Sequence, residues 1–142
     1  MESKIDSNGQ SMFYLRDGLG STLAIVDDRG KVIRDYSYSG YGESLSGQDE
    51  VNAYRFEGGV GGREDDDTGL VYFWNRWYDP SVGRWVNEDP IRQAGGVNLY
   101  GYVANNPAIG TDSVGLYTVN VGVSIGFSIG TWVVSGSFGI VA

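Results

Sequence analysis

Apolar and polar residues alternate with period two along several stretches of this chain, which is the pattern of half-buried β-strands. The clearest case is the tail, where each odd position from Val119 to Ile129 is apolar and each even position between them is Asn, Gly or Ser. After Gly130 the apolar residues move to even positions, from Trp132 to Ile140. A turn near Gly130 would bring both apolar sets to one face. We therefore predict a C-terminal amphipathic β-hairpin.

Shorter apolar and aromatic runs, separated by Gly, Asp and Pro, predict further strands upstream of the tail. The predicted strands cover residues 12–15, 23–26, 31–38, a start at 54, 70–78 and 84–86. Residues 28–30 and 79–83 have the chemistry of tight turns, and residues 97–103 fit either a strand or one helical turn. The fold class is therefore all-β, with hairpins in a curved, spiralling sheet and weak repetition at hairpin scale.

Composition narrows the chemistry that this fold could carry. The 142 residues, enough for one modest domain, include 23 Gly and 10 Tyr, which suits short strands and tight turns. Cys and His are both absent, which removes thiol nucleophiles, the commonest general base and the commonest metal ligand. Hydrolytic chemistry must then rest on carboxylates, with no metal and no cofactor. The net charge of −8 argues against a nucleic-acid partner.

Two short segments invite a ligand-binding interpretation. Residues 58–62 are rich in Gly like a phosphate loop, but residues 64–67 are all acidic and would repel phosphate. The acidic run could hold calcium, or it could be a solvated turn before the strand at residue 70. We favour the solvated turn, because the spacing lacks the ligand pattern of a calcium loop.

The segment 70–116 carries a dense series of motifs. They are Trp77-Tyr78-Asp79-Pro80, Gly83-Arg84-Trp85, Asp89-Pro90, Gly95-Gly96, Asn98-Leu99-Tyr100, Tyr102, Asn105-Asn106-Pro107 and Asp112-x-x-Gly115-Leu116. In this order they resemble the Rhs repeat-associated core, which closes the YD-repeat shell of bacterial Rhs and Tc toxin proteins. Residues 1–11 have the composition of a polar leader, and the resemblance implies YD-type hairpins at 12–69, the core at 70–116 and a post-cleavage tail at 117–142.

The resemblance also implies a catalytic site. In family cores that cleave themselves, the Asp of the first Asp-Pro and the Asp of the last motif are the implied pair, which here are Asp89 and Asp112. Arg76 in the upstream strand completes the implied site, and the implied cut lies between Leu116 and Tyr117. Two carboxylates held close share one proton, so one can take a proton from water while the other protonates the leaving nitrogen. Arg76 would orient a carboxylate or stabilise developing negative charge.

The same residues also fit a purely structural role. Asp89 and Asp112 would then form Asx turns, and Arg76 would stack on Trp74 or Trp77. Without the resemblance these interpretations would be favoured. Two hypotheses therefore stand, a self-cleaving Rhs-type core module of a polymorphic toxin or secreted effector, and a non-catalytic structural module that plugs a YD-repeat shell.

The family's last motif usually has Pro where Ser113 stands here, so we expect slower cleavage than a Pro-stiffened turn would give. The chain holds too few repeats to enclose a folded cargo. Its expected partners are its own C-terminal segment or a longer YD-repeat shell, and in addition a secretion-system component or a membrane. The tail packs on the core or inserts in a membrane as an uncharged hairpin, of which packing is the commoner case. The N-terminus lacks the apolar run of a signal peptide, so we expect synthesis in the bacterial cytoplasm and delivery without such a signal.

Overall fold

The computed structural model describes residues 3–5, 9–46, 52–95, 97–128 and 131–141. Within these ranges all strands pair antiparallel, in three sheets, and the helical segments are two short 3₁₀ turns, Arg92–Gly95 and Val103–Asn105. The predicted all-β fold class is confirmed. No helix among the described residues has the length and apolar character needed to cross a membrane.

The first sheet has four strands in chain order. They are β1 (Ser3–Ile5), β2 (Ser11–Arg16), β3 (Thr22–Asp27) and β4 (Val32–Asp35). The turn predicted at 28–30 is present, and Asp27 Oδ1 closes it by accepting the backbone N–H groups of Arg29 and Lys31. The polar leader contains β1, which pairs with β2. The returning strand is shorter than predicted, because residues 37–39 bond to residues 43–45 instead of continuing along β3.

The second sheet also has four strands in chain order. They are β5 (Arg63–Glu64), β6 (Val71–Phe73), β7 (Arg76–Asp79) and β8 (Arg84–Trp85). The single strand predicted over 70–78 is wrong, because the chain turns back at Trp74 and Asn75 and β6 pairs with β7. Buried positions are odd in β6 and even in β7, so the turn keeps both buried sets on one face.

The third sheet carries the tail, with strand order β11, β10, β9. Its strands are β9 (Gly110–Thr111), β10 (Thr118–Ser128) and β11 (Thr131–Val141). The predicted C-terminal hairpin is present, with Ser128 opposite Thr131 and Val121 opposite Phe138. Odd positions of β10 therefore face even positions of β11, which is the parity change that the sequence predicts. The turn near Gly130 lies outside the described residues.

The segment between the first two sheets folds as a series of turns. The strand predicted to start at 54 is wrong, because the amides of Gly58, Val60 and Gly62 bond locally to the carbonyls of Arg55 and Glu57. Residues 97–103, left open between a strand and a helical turn, form a turn and a single bridge from Gly101 to Arg84, and a 3₁₀ turn begins at their end.

Aromatic side chains dominate the core, which the second sheet shares with the turns on either side of it. Its buried members are Phe56, Val71, Phe73, Tyr78, Trp85, Tyr102 and Val103. Phe73 and Trp85 meet edge to face at 5.8 Å, and the rings of Tyr78 and Tyr102 lie 4.1 Å apart. Such aromatic contacts add to the free energy of burial and fix ring orientation. This core supports the face of β7 from which Arg76 projects.

Candidate functional site

Arg76 lies at the start of β7, on the buried face, and its side chain is 3% exposed. Its Nη2 lies 3.1 Å from Asp89 Oδ2 and 3.2 Å from Asp112 Oδ2, so one guanidinium nitrogen pairs with both carboxylates. Its Nε donates to the carbonyl of Gly115 at 2.5 Å. Charge-assisted bonds of this kind are strong and directional, so Arg76 links the three segments that carry the predicted site.

The guanidinium of Arg76 also stacks on an aromatic ring. It lies 4.1 Å from the ring centre of Trp85, which is buried on β8. The alternative prediction, that Arg76 stacks on Trp74 or Trp77, is therefore wrong. Trp74 occupies the β6–β7 turn, and Trp77 points to the opposite face of β7, where it contacts Tyr72.

Asp89 follows β8 and is 5% exposed. Its backbone N–H donates to the carbonyl of Leu99, and its Oδ1 accepts the N–H of Ile91 at 2.9 Å, which makes the Asx turn expected before Pro90. Its other carboxylate oxygen remains for Arg76. Asp89 therefore makes the turn and also faces the predicted site.

Asp112 follows β9 directly and is 2% exposed. Its Oδ1 accepts the backbone N–H of Leu116 at 2.9 Å and that of Tyr117 at 3.2 Å. Burial raises the pKa of Asp112, and the Leu116 N–H and the Arg76 charge oppose that rise. Asp112 therefore accepts a hydrogen bond from the nitrogen of the peptide bond between Leu116 and Tyr117. The guanidinium, rather than a shared proton, joins Asp112 to Asp89.

The turn from Asp112 to Gly115 presents this peptide bond. Its backbone is closed by the Gly115 N–H donating to the Asp112 carbonyl at 3.2 Å. Gly115 has a φ of +67°, and a Cβ there would lie 2.8 Å from the Phe73 carbonyl oxygen, so only Gly fits without a shift. Asn75 Nδ2 donates to the Val114 carbonyl at 2.7 Å. The β6–β7 hairpin therefore holds this turn from one side.

Glu57 is a buried carboxylate that sequence reasoning missed. It is 0% exposed, accepts the hydroxyl of Tyr102 at 2.6 Å, and accepts the hydroxyl of Thr111 at 2.5 Å. Burial raises its pKa to about 7, while these two bonds oppose the rise and the charge of Asp112 adds to it. No motif contains Glu57, and its neighbours Gly58 and Gly59 suggested only a loop. The sequence carried no signal for its burial.

The acidic segment 64–67 differs from the solvated turn that we predicted. Glu64 and Asp66 pair with the fully buried guanidinium of Arg55 at 2.8 and 2.5 Å, because a charge without water requires counter-ions. Asp65 accepts the hydroxyl of Thr68 within the turn. Across the part of the chain that the structure describes, no three carboxylates are grouped so that they could hold a metal ion.

Comparison with known proteins places this geometry in context. A family model described as the teneurin YD-shell matches residues 3–108. The chain is 36% identical over 114 residues to the toxin subunit YenC1 of Yersinia entomophaga, covering 78% of this chain and 12% of that protein. It is 34% identical over 116 residues to the tRNA3(Ser)-specific nuclease WapA of Bacillus spizizenii, covering 76% and 5%. The crystal structure of TcdB2-TccC3 superposes with a TM-score of 0.68 at 30% identity, covering 81% of this chain and 6% of that one. The chain thus spans a small part of these relatives.

Proposed function

Since the chain belongs to the teneurin YD-shell family, we propose that it is the self-cleaving core module of a polymorphic or Tc-type toxin. The reaction is hydrolysis of its own peptide bond between Leu116 and Tyr117. Asp89 and Asp112 act as the acid-base pair, and Arg76 holds both. The reaction separates the tail, which begins at Tyr117, from the shell module, which ends at Leu116.

The contact that carries this proposal is the one between Asp112 and the peptide unit to be cut. A carboxylate at 3.2 Å from the Tyr117 nitrogen is within proton-transfer distance of the leaving group. A purely structural Asx turn at Asp112 would need no buried arginine beside it. Arg76 nevertheless contacts both the Asp112 carboxylate and the carbonyl of Gly115, the residue before Leu116. The substrate belongs to the same chain, so proximity supplies much of the rate.

The chemistry follows from these positions. Water adds its oxygen to the carbonyl carbon of Leu116, and Asp89 accepts the proton that this water loses. Asp112 gives a proton to the Tyr117 nitrogen as the carbon–nitrogen bond breaks, which leaves a carboxylic acid on Leu116 and a free amine on Tyr117, and the acid then loses its proton to water or to this amine. Burial favours the protonated form of Asp112 by raising its pKa. Arg76 balances the negative charge that moves between the two carboxylates.

The module acts within a larger assembly under this proposal. The matched relatives include toxin subunits and nucleases many times longer than the matched region. The expected partners are therefore a longer YD-repeat shell and the chain's own C-terminal segment. We expect synthesis in a bacterial cytoplasm followed by secretion or delivery.

A non-catalytic clamp is the second candidate function. It is favoured because the polar atoms of the site already have partners within the chain: Arg76 pairs with both carboxylates, and Asp112 Oδ1 accepts two N–H groups. In that case the same contacts hold the start of the tail against the core, and no bond is cut.

The intact mass of the purified chain separates the two candidates. The protease proposal expects two fragments, the second beginning at Tyr117 by N-terminal sequencing, and expects Asp112→Asn and Asp89→Asn to remain whole. Asp28→Asn is the matched control, because Asp28 lies exposed in the β3–β4 turn and its loss leaves the site unchanged. A wild-type chain that stays whole under native conditions leaves the clamp as the function.

A further inference from the structure

Glu57 is linked to the proposed site through Thr111. The Thr111 side chain donates to Glu57 Oε2, and Asp112 is the next residue in the chain. Thr111 also pairs with Val119 across β9 and β10. The bond between Thr111 and Glu57 therefore lies at the base of the 112–117 segment, where the chain before it meets the chain after it. A change at Glu57 would therefore move the base of the turn that carries the scissile bond.

A second link runs from Glu57 to Arg76 through aromatic rings. Tyr102 donates its hydroxyl to Glu57 Oε1, and its ring lies 5.5 Å from that of Trp85 in an edge-to-face contact. Trp85 in turn lies beneath the guanidinium of Arg76 at 4.1 Å. Glu57 thus contacts Thr111, which precedes Asp112, and Tyr102, whose ring packs on the Trp85 ring beneath Arg76.

The backbone at Glu57 is itself tightly held. Its N–H donates to the Ser21 hydroxyl, and its carbonyl accepts the amides of Val60 and Gly62. Its φ of +47° is a left-handed conformation that residues other than Gly rarely adopt. A side chain anchored on such a backbone is a fixed point rather than a mobile one, which is what positioning another residue requires.

We propose that Glu57 is the positioning residue for Asp112, setting its carboxylate against the Leu116–Tyr117 peptide through Thr111 and Tyr102. This inference deepens the proposed self-cleavage and rests on it. The groups whose charges act on Glu57 are Asp112 and Asp17, and the hydroxyls that face it are those of Tyr102 and Thr111. Because Asp112 and Glu57 repel each other when both are ionised, an ionised Glu57 also favours the protonated form of Asp112.

Position and charge can be separated by two substitutions. Thr111→Val removes the bond to Glu57 without deleting a charged group, so it slows cleavage by roughly tenfold or more at the pH of maximal rate. Thr111→Ser keeps the hydroxyl and is the matched control, with a rate close to that of wild type. Glu57→Gln keeps the shape and removes the charge, so it moves the alkaline limb of the cleavage profile to lower pH.

The experiment uses the full chain, which is synthesised and kept unfolded in urea. Dilution into buffers spanning about pH 5 to 9 lets the chain fold and starts cleavage. Mass spectrometry follows the fragment that begins at Tyr117, and near-ultraviolet circular dichroism confirms that each variant folds. In parallel, carbon NMR of the Asp112 carboxyl is recorded in the Asp89→Asn chain with and without Glu57→Gln. We expect Glu57→Gln to lower the Asp112 titration midpoint.

The two proposals fail separately in this design. If wild type is cut but Thr111→Val equals Thr111→Ser and the Asp112 midpoint does not move, the role of Glu57 is overturned and self-cleavage stands. If wild type is never cut but Glu57→Gln lowers the midpoint, self-cleavage fails and the action of Glu57 on the Asp112 carboxylate stands. If wild type is never cut and the midpoint does not move, both proposals are overturned.

Discussion

Replacing Arg76 by Met is the sharpest test of how this site is held together. Met is unbranched and uncharged and has nearly the same volume as Arg, so it fills much of the same space beside Trp85 while leaving two buried carboxylates without their counter-ion. It also leaves the Gly115 carbonyl without its donor. The variant therefore removes the central charge of the site and little of its volume.

The expected loss of stability follows from burial. Arg76 is 3% exposed, and its partners Asp89 and Asp112 are 5% and 2% exposed, so water cannot replace the lost charge. Removing one member of a buried ion pair costs about 3 to 5 kcal/mol, because an uncompensated charge remains. The cost is smaller in acid, because burial raises the pKa of Asp112, which there takes up a proton and no longer needs a counter-ion.

Urea denaturation measures this cost, with intact masses recorded so that chains in the same covalent state are compared. At neutral pH we expect Arg76→Met to lower the free energy of unfolding by about 3 to 5 kcal/mol, and the triple variant with Asp89→Asn and Asp112→Asn to recover most of it. Arg63→Met, at an exposed strand position, should change stability by about 0.5 kcal/mol or less. A loss below about 1 kcal/mol, or one that does not shrink in acid, would refute the reasoning.

Three further predictions concern Glu57 and the turn that presents the scissile bond. The unfolded chain releases the Glu57 proton near pH 4.5 and the folded chain holds it to about 7, so stability is full below 4.5 and falls by about 3 kcal/mol as pH rises to 7. Denaturation across pH should show this fall, and Glu57→Gln should flatten it; parallel curves would contradict the assignment. Ser113 is the second residue of the turn closed by Asp112 and Gly115, where Pro is favoured, so Ser113→Pro should stabilise by about 0.4 to 1 kcal/mol and speed cleavage about twofold to fivefold, as timed by mass spectrometry. A slower Ser113→Pro chain would mean that the turn is not what limits the rate. Gly115→Ala should destabilise by about 1 to 2 kcal/mol or more and impair cleavage, because φ is +67° and the new Cβ meets the Phe73 carbonyl; thermal unfolding equal to wild type would show that the turn can relax.

The local sequence pattern was sufficient to predict an element wherever apolar residues repeat with the period of that element or turn residues stand together. The tail hairpin was predictable because strict alternation changes parity across Gly130, and the β3–β4 turn because Asp28-Arg29-Gly30 is turn chemistry. The same kind of parity change lies between Phe73 and Arg76, where β6 turns into β7, but the run of aromatic residues there hid it. Alternation identifies a strand only when one face is polar, and aromatic residues on both faces remove that contrast.

The site divides in the same way between sequence and structure. The family motifs singled out Arg76, Asp89 and Asp112, but the sequence could not say that one guanidinium nitrogen lies between the two carboxylates. It carried no sign of Glu57, nor of the burial of Arg55 with its two acidic partners.

Strand periodicity, turn chemistry and composition are local properties, so the sequence by itself determined the all-β class, the β3–β4 hairpin, the tail hairpin and the absence of Cys and His chemistry. Which carboxylates lose their water depends on contacts between residues far apart in the chain. Arg76 and Asp112 are brought together by the packing of the β6–β7 hairpin on the turn after β9, and Glu57 meets Thr111 across the aromatic core. Burial of charge is a property of the packed core, and only the tertiary structure decided it.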